Sequence, residues 1–129
     1  MQEKIQKLRN LKLLFVEDEE DLITIIEETL KKLQSNFLTA RNGEEALKVL
    51  ENNDDIDAVI TDINMPLMNG IELVEQMNKR GWSIPVIVMS AHTETQYLEK
   101  AKELGVKNYL LKPFDFIKFI DLIVDVEKM

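Results

Sequence analysis

The stretch IDAVITDINMPLMNG, residues 56–70, begins as an apolar run, Ala58-Val59-Ile60, and then sets a carboxylate, Asp62, where that run should be sealing a core. Three other apolar runs end in the same way. LKLLFV (11–16) is followed by Glu17 and Asp18, PVIVM (85–89) by Ser90, and NYLL (108–111) by Lys112. If these ends converge, three carboxylates, a hydroxyl and an ammonium share one small space. Carboxylates at such range repel, and at least one protonates unless cations offset them. A divalent ion together with the Lys112 ammonium cancels the charge of Glu17, Asp18 and Asp62. Oxygen donors without histidine or cysteine favour a hard ion, best matched by Mg2+, which keeps several waters and takes few protein ligands. Such an ion beside a carboxylate is the usual arrangement for phosphoryl transfer, where catalysis is mostly positioning and charge neutralisation. Asp62 is then the nucleophile, forming an aspartyl-phosphate.

Convergence follows from the elements. The runs LKLLFV, FLTA (37–40), DAVIT (57–61), PVIVM and NYLL alternate with segments of helical periodicity, which argues for a parallel sheet covered by helices on both faces. Leu22, Ile25, Ile26, Thr29, Leu30 and Leu33 carry the i, i+3, i+4, i+7 spacing of a first helix. A second, marked by Ala46, Leu47 and Leu50, follows the NG at 42–43, and a third, marked by Leu73, Val74 and Met77, follows the NG at 69–70. A fourth opens at TETQ (93–96), a capping-box pattern, and stops near Gly105. The fifth runs from about Phe114 almost to the end. In a doubly wound sheet the ligand crevice lies outside the carboxyl ends of the strands, where their order reverses. Glu17, Asp18, Asp62, Ser90 and Lys112 are expected to meet there.

The 129 residues suit one domain whose core needs no disulfide or metal staple. The chain has no cysteine, no signal-like amino end and no apolar run long enough to span a bilayer, so a cytoplasmic location is expected. Sixteen Lys and Arg against 24 Asp and Glu leave a net charge of −8, which repels phosphate backbones and anionic lipid head groups and argues against direct binding to nucleic acid or membrane. Neither GxxxxGK(S/T) nor GxGxxG occurs, and the length leaves no room for a substrate-closing cap domain. A small phosphatase or nucleotide-binding enzyme is therefore the weaker reading.

FVEDEE (15–20), ITDINMPLMNG (60–70), VIVMSAH (86–92) and YLLKPF (109–114), in that order, resemble the landmarks of the receiver domain of two-component response regulators, over roughly residues 11–127. The resemblance implies a flavodoxin-like α/β fold, a (βα)5 three-layer sandwich with a five-stranded parallel sheet of order 2-1-3-4-5, formed by residues 11–129 behind an amino-terminal extension, 1–10. It implies that Asp62 accepts a phosphoryl group from a sensor histidine kinase or a histidine phosphotransfer protein. Glu17 and Asp18 would hold Mg2+ with Asp62 and the backbone carbonyl of Asn64. Lys112, ahead of a cis bond to Pro113, would pair with the acceptor and then with the phosphoryl oxygens. Ser90 would move to bond the phosphoryl group, and Tyr109 would turn inward as it does. Phosphorylation adds about −1.5 to −2 charges and strong acceptor oxygens, which biases an existing conformational equilibrium. The face of the fourth helix, fifth strand and fifth helix would display the result to a downstream effector or output domain. What is expected is a signalling switch that catalyses only its own phosphorylation and dephosphorylation. The alternative is a receiver-like interaction module that acts without phosphorylation.

Glu17 stands where the family more often has aspartate, and Ser90 is the less bulky hydroxyl choice. Asn64 and His92 occupy the two positions that tune phosphoryl lifetime in the family. Glu17 and Asp18 also open the run EDEED (17–21), which suits the start of the first helix. Trp82 and the scattered methionines read as packing. The fifth helix is harder to house, because only Asp115, Lys118, Asp121 and Asp125 interrupt its apolar residues, an arc too wide for one sheet face. Part of that arc is expected either to meet a partner or a second copy of the chain, or to be apolar without use; burial of both Ile117 and Val124 would exclude the former. MQEKIQKLRN (1–10) lies outside the pattern and is expected to be a frayed extension, an isolated helix or the trace of a cut end, and its Ile5 and Leu8 are too few to specify a partner.

Overall fold

The computed structural model of the chain describes residues 2–91, 95–112 and 115–126. His92, the first part of the TETQ capping motif, the bond to Pro113 and Phe114 lie outside the described residues.

Five strands, β1 (Lys12–Val16), β2 (Asn36–Ala40), β3 (Ala58–Asp62), β4 (Val86–Ser90) and β5 (Asn108–Leu111), form a parallel sheet in the order β2-β1-β3-β4-β5. The helices are α1 (Gln2–Arg9), α2 (Glu20–Lys32), α3 (Gly43–Asn52), α4 (Gly70–Lys79), α5 (Thr95–Glu103) and α6 (Phe116–Val126). The helices expected as first to fifth are thus α2 to α6, and the strand order is the one the resemblance implied. It reverses between β1 and β3, which places the crevice at their carboxyl ends.

Alternate residues of each strand serve opposite faces. Leu13, Phe15 and Ile60 pack with Ile26 and Leu30 of α2 and with Phe119 and Ile123 of α6. Leu14, Val16 and Val59 pack with Ala46, Leu47 and Leu50 of α3 and with Leu73 and Met77 of α4. Central β3 is buried at every position, as an unbroken apolar run predicts for a parallel strand covered twice. Helices α3 and α4 start by the same device. The side chains of Asn42 and Asn69 accept the backbone N–H of Glu45 and Glu72 at 2.9 and 2.8 Å, and Glu72 returns the bond to the N–H of Asn69.

The amino end departs from expectation in its packing and not in being helical. Residues 2–9 are helical, Leu8 is wholly buried, and Leu8 and Leu11 join the cluster shared by α2 and α6. Lys4 ion-pairs with Asp121 of α6, and Arg9 Nε donates to the carbonyl of Leu33 at 2.9 Å. The reading of Ile5 and Leu8 as too few to specify a partner is corrected by α6, whose wide apolar arc needs a second cover beyond the sheet. Val124 is buried, whereas Ile117 is 60% exposed, so the Ile117 side of the arc stays open. Leu8→Ala is expected to cost about 2 kcal/mol, the low end for Leu→Ala, because a short terminal helix can undock instead of enclosing a cavity. Urea unfolding and amide exchange of α1 check this; an unchanged midpoint would mean that α1 adds no stability. Among the described residues, no helix is long and apolar enough to cross a membrane.

Candidate functional site

At the end of β1, the Glu17 N–H bonds the Ala40 carbonyl at 3.0 Å, which extends the β1–β2 pairing by one residue. The Glu17 side chain is only 1% exposed, and a buried carboxylate needs partners. Its Oε2 accepts the N–H groups of Asp18 and Glu19 at 3.1 and 3.2 Å, and its Oε1 accepts from Lys112 Nζ at 3.0 Å. Asp62 closes β3 and is buried; its Oδ1 accepts the Ile63 N–H at 2.9 Å and lies 3.2 Å from Lys112 Nζ. Lys112 is set one step beyond β5, with its N–H on the Ser90 carbonyl at 2.8 Å. Carboxylate oxygens of Glu17, Asp18 and Asp62 lie within 4.8 Å of one another.

The charges do not balance. Burial, followed by the Glu17 charge, pushes Asp62 up to about 6, although Lys112 and the Ile63 N–H pull the other way. Partial burial and the neighbouring Glu17 raise Asp18 as well. Burial works against the Lys112 ammonium, but Glu17 and Asp62 outweigh it and hold the lysine above its ordinary value, so it stays charged at neutral pH. Three acids served by one ammonium, with oxygen donors only, fit a hard divalent cation such as Mg2+.

The loop from Asp62 to Gly70 carries Asn64 and is held tightly. The Gly70 N–H bonds the Ile63 carbonyl at 2.8 Å, and a Cβ on Gly70 would stand 2.1 Å from the Asp62 carbonyl oxygen. The Met68 N–H reaches back to the Pro66 carbonyl at 2.8 Å around Leu67, whose φ is +67°, a γ-turn that few side chains tolerate. Leu67 itself is exposed.

Ser90, the last residue of β4, is buried one step beyond the Asp62–Met89 pair. Tyr109 lies opposite Val88 on β5, two residues short of the end of that strand. It is half-buried against Val88, Ala101 and Val106, and its hydroxyl donates to the Val106 carbonyl at 2.7 Å. Burial raises its pKa. The structure therefore gathers Glu17, Asp18, Asp62 and Lys112, sets Ser90 at the same end of the sheet, and holds Tyr109 away from the cluster. Trp82 packs under α3 and α4 with the Arg80 guanidinium 5.1 Å from its ring centre, as its packing role predicts. Sequence reasoning missed the double engagement of Glu17 and the Arg41–Glu20 ion pair at 3.0 Å across the tops of β2 and α2.

Comparison with known proteins points the same way. The family model of the response regulator receiver domain matches residues 13–124. A chemotaxis protein CheY homolog of Campylobacter jejuni is 38% identical over 107 residues, covering 81% of this chain and 82% of its own length. The alkaline phosphatase synthesis transcriptional regulatory protein PhoP of Bacillus subtilis is 33% identical over 105 residues, which are 81% of this chain and 43% of that protein. Among solved structures, the chemotaxis protein CheY4 of Vibrio cholerae superposes with a TM-score of 0.81 at 26% identity, over 90% of this chain and 98% of its own.

Proposed function

Because the chain belongs to the response regulator receiver domain family, we propose that it acts as a phosphorylation-dependent switch of two-component signalling with Asp62 as the phosphoacceptor. The observation that carries this reading is the charge-deficient cluster, in which a buried aspartate with a raised pKa faces Glu17, Asp18 and a charged Lys112. The side chains of Glu17, Asp18 and Asp62 and the carbonyl of Asn64 would hold Mg2+. Bound there, the ion supplies the missing positive charge for an incoming anionic phosphoryl group. An oxygen of Asp62 bonds the phosphorus as the P–N bond of the donor's phosphohistidine breaks, and the electron pair leaves on the imidazole nitrogen. Lys112, already near Asp62 Oδ1, follows the phosphoryl oxygens, and the Ser90 hydroxyl donates to one of them. Tyr109 exchanges its bond to Val106 for an inward position, which alters the face of α5, β5 and α6.

Family members are signalling proteins rather than enzymes in the ordinary sense. The phosphodonor we propose is a sensor histidine kinase or a histidine phosphotransfer protein in the cytoplasm. The recipient of the signal is an effector or output domain at the α5-β5-α6 face. The open Ile117 side of α6 is the place for a homodimer contact, and the net charge of −8 disfavours nucleic acid and membrane as partners.

Intact-mass measurement after incubation with acetyl phosphate and Mg2+ tests the proposal. The expected result is one acid-labile phosphoryl group per chain, mapped to the peptide containing Asp62 and absent when EDTA replaces Mg2+. No uptake, even from a phosphorylated histidine kinase, would sink the reading in favour of an interaction module that ignores phosphorylation.

A further inference from the structure

Gly43, the first residue of α3, has no conformational reason to be glycine. Its φ is outside the left-handed region, its helix already has an Asn42 cap, and alanine is the better helix former. The reason lies across the crevice. The Gly43 N–H donates to the Met68 carbonyl at 2.9 Å, and a Cβ at position 43 would fall 2.6 Å from Met68 Cγ, 2.8 Å from Met68 Cβ and 2.8 Å from that carbonyl oxygen. The amino end of α3 is thus pressed against the far end of the loop that carries Asn64. Three residues earlier the same corner meets the other half of the site, where the Ala40 carbonyl accepts the Glu17 N–H at 3.0 Å.

We infer that the corner Ala40–Gly43, closed on Met68, is the positioning element that sets how the loop carrying Asn64 stands against the Glu17–Asp18 half of the cation site, whose spacing from Asp62 the β1–β3 pairing fixes. Gly43 and Met68 are its adjustable contact. The inference rests on the proposed Mg2+ role of these residues. Cation affinity depends on ligand spacing, since Mg2+ demands near-ideal octahedral geometry. The γ-turn at Leu67 is strained, and such a turn persists only where its surroundings hold it. The buried Asn42 stiffens the corner by capping α3 from within it. A side chain at position 43 would push Met68 and the loop outward, with the carbonyl of Asn64 moving along.

The test is a calorimetric Mg2+ titration of the full chain without any phosphodonor, with urea unfolding in parallel. Gly43→Ala is expected to weaken Mg2+ binding about tenfold, the effect typical of losing support behind a metal ligand. Adding Met68→Ala removes the Cγ contact but keeps those with the Cβ and the carbonyl oxygen of residue 68, so the double variant should recover part of that loss. It also carries the test if the single variant does not fold. Parent-like Mg2+ affinity in folded Gly43→Ala, or in the double variant where the single one does not fold, overturns the inference whatever happens to the urea midpoint and makes Gly43 a packing residue only. A parent that binds no Mg2+ would instead overturn the receiver reading, and this inference with it.

Discussion

Asp62→Asn is expected to yield a protein that takes up no phosphoryl group and yet withstands more urea than the parent at pH 7 in EDTA. The loss of uptake follows from chemistry, because a carboxamide is not a nucleophile at phosphorus under these conditions. The gain follows from linkage. Asp62 has an ordinary pKa of 3.8 and about 6 in the folded chain, so between those values the native state holds a proton that the unfolded state has released. Stability from this group therefore falls as pH rises through that window, and the full penalty is present above about 6. The carboxylate costs on the order of 1–3 kcal/mol at pH 7, and asparagine avoids it while retaining an acceptor for the Ile63 N–H. Lys112 keeps Glu17 at 3.0 Å, so no charge is stranded. Urea unfolding at pH 7 and at pH 4 provides the measurement. The advantage of the variant should shrink severalfold at the lower pH, and an advantage that grew on acidification would contradict the assigned cause.

Gly70→Ala is expected to be the most damaging single methyl in the chain. Its Cβ would lie 2.1 Å from the Asp62 carbonyl oxygen and 3.2 Å from Ile63 Cα, both backbone atoms with no rotamer to yield. Relief requires moving either β3 or the start of α4, whose Asn69 capping box and Gly70–Ile63 hydrogen bond hold it in place. Overpacking of this kind costs roughly 3 kcal/mol, and any part of the shift taken up by the end of β3 displaces Asp62, the last residue of that strand. The variant should therefore unfold at a markedly lower urea midpoint and, while still folded, phosphorylate more slowly than the parent. A midpoint within the error of the parent would mean that β3 and α4 separate to admit the methyl at no cost.

The strands were legible because a doubly covered parallel sheet writes itself as unbroken apolar runs. Each expected run lies within one residue of the observed strand. That one-residue shift places Asp62 and Ser90 at the last position of β3 and β4 rather than just past them. The candidate site was legible for a related reason, since a charge at the end of an apolar run is a local signal. What is not local did not show. Lys112 and Glu17 are separated by 95 positions, and no pattern says that the lysine is nearer to Glu17 than to Asp62. Gly43 follows an asparagine and reads as a turn, although its contact with Met68 explains it. The covering of α6 by α1 was half visible as an excess of apolar residues on one helix and a sparse pair on another. Periodicity describes a face and does not say which other face it meets.

The placement of α1 bears on how the protein can be handled. The family match begins at residue 13, and a shortened chain starting there would lack Leu8 and Leu11, two buried members of the cluster that includes Ile26, Leu30, Ile120 and Val124. Apolar surface of that kind promotes clumping. An affinity handle or dye is better grafted into the exposed turn at Asp54–Asp55 than close-coupled to Gln2. Shortening the chain to its recognisable part would remove residues that help it stay dissolved.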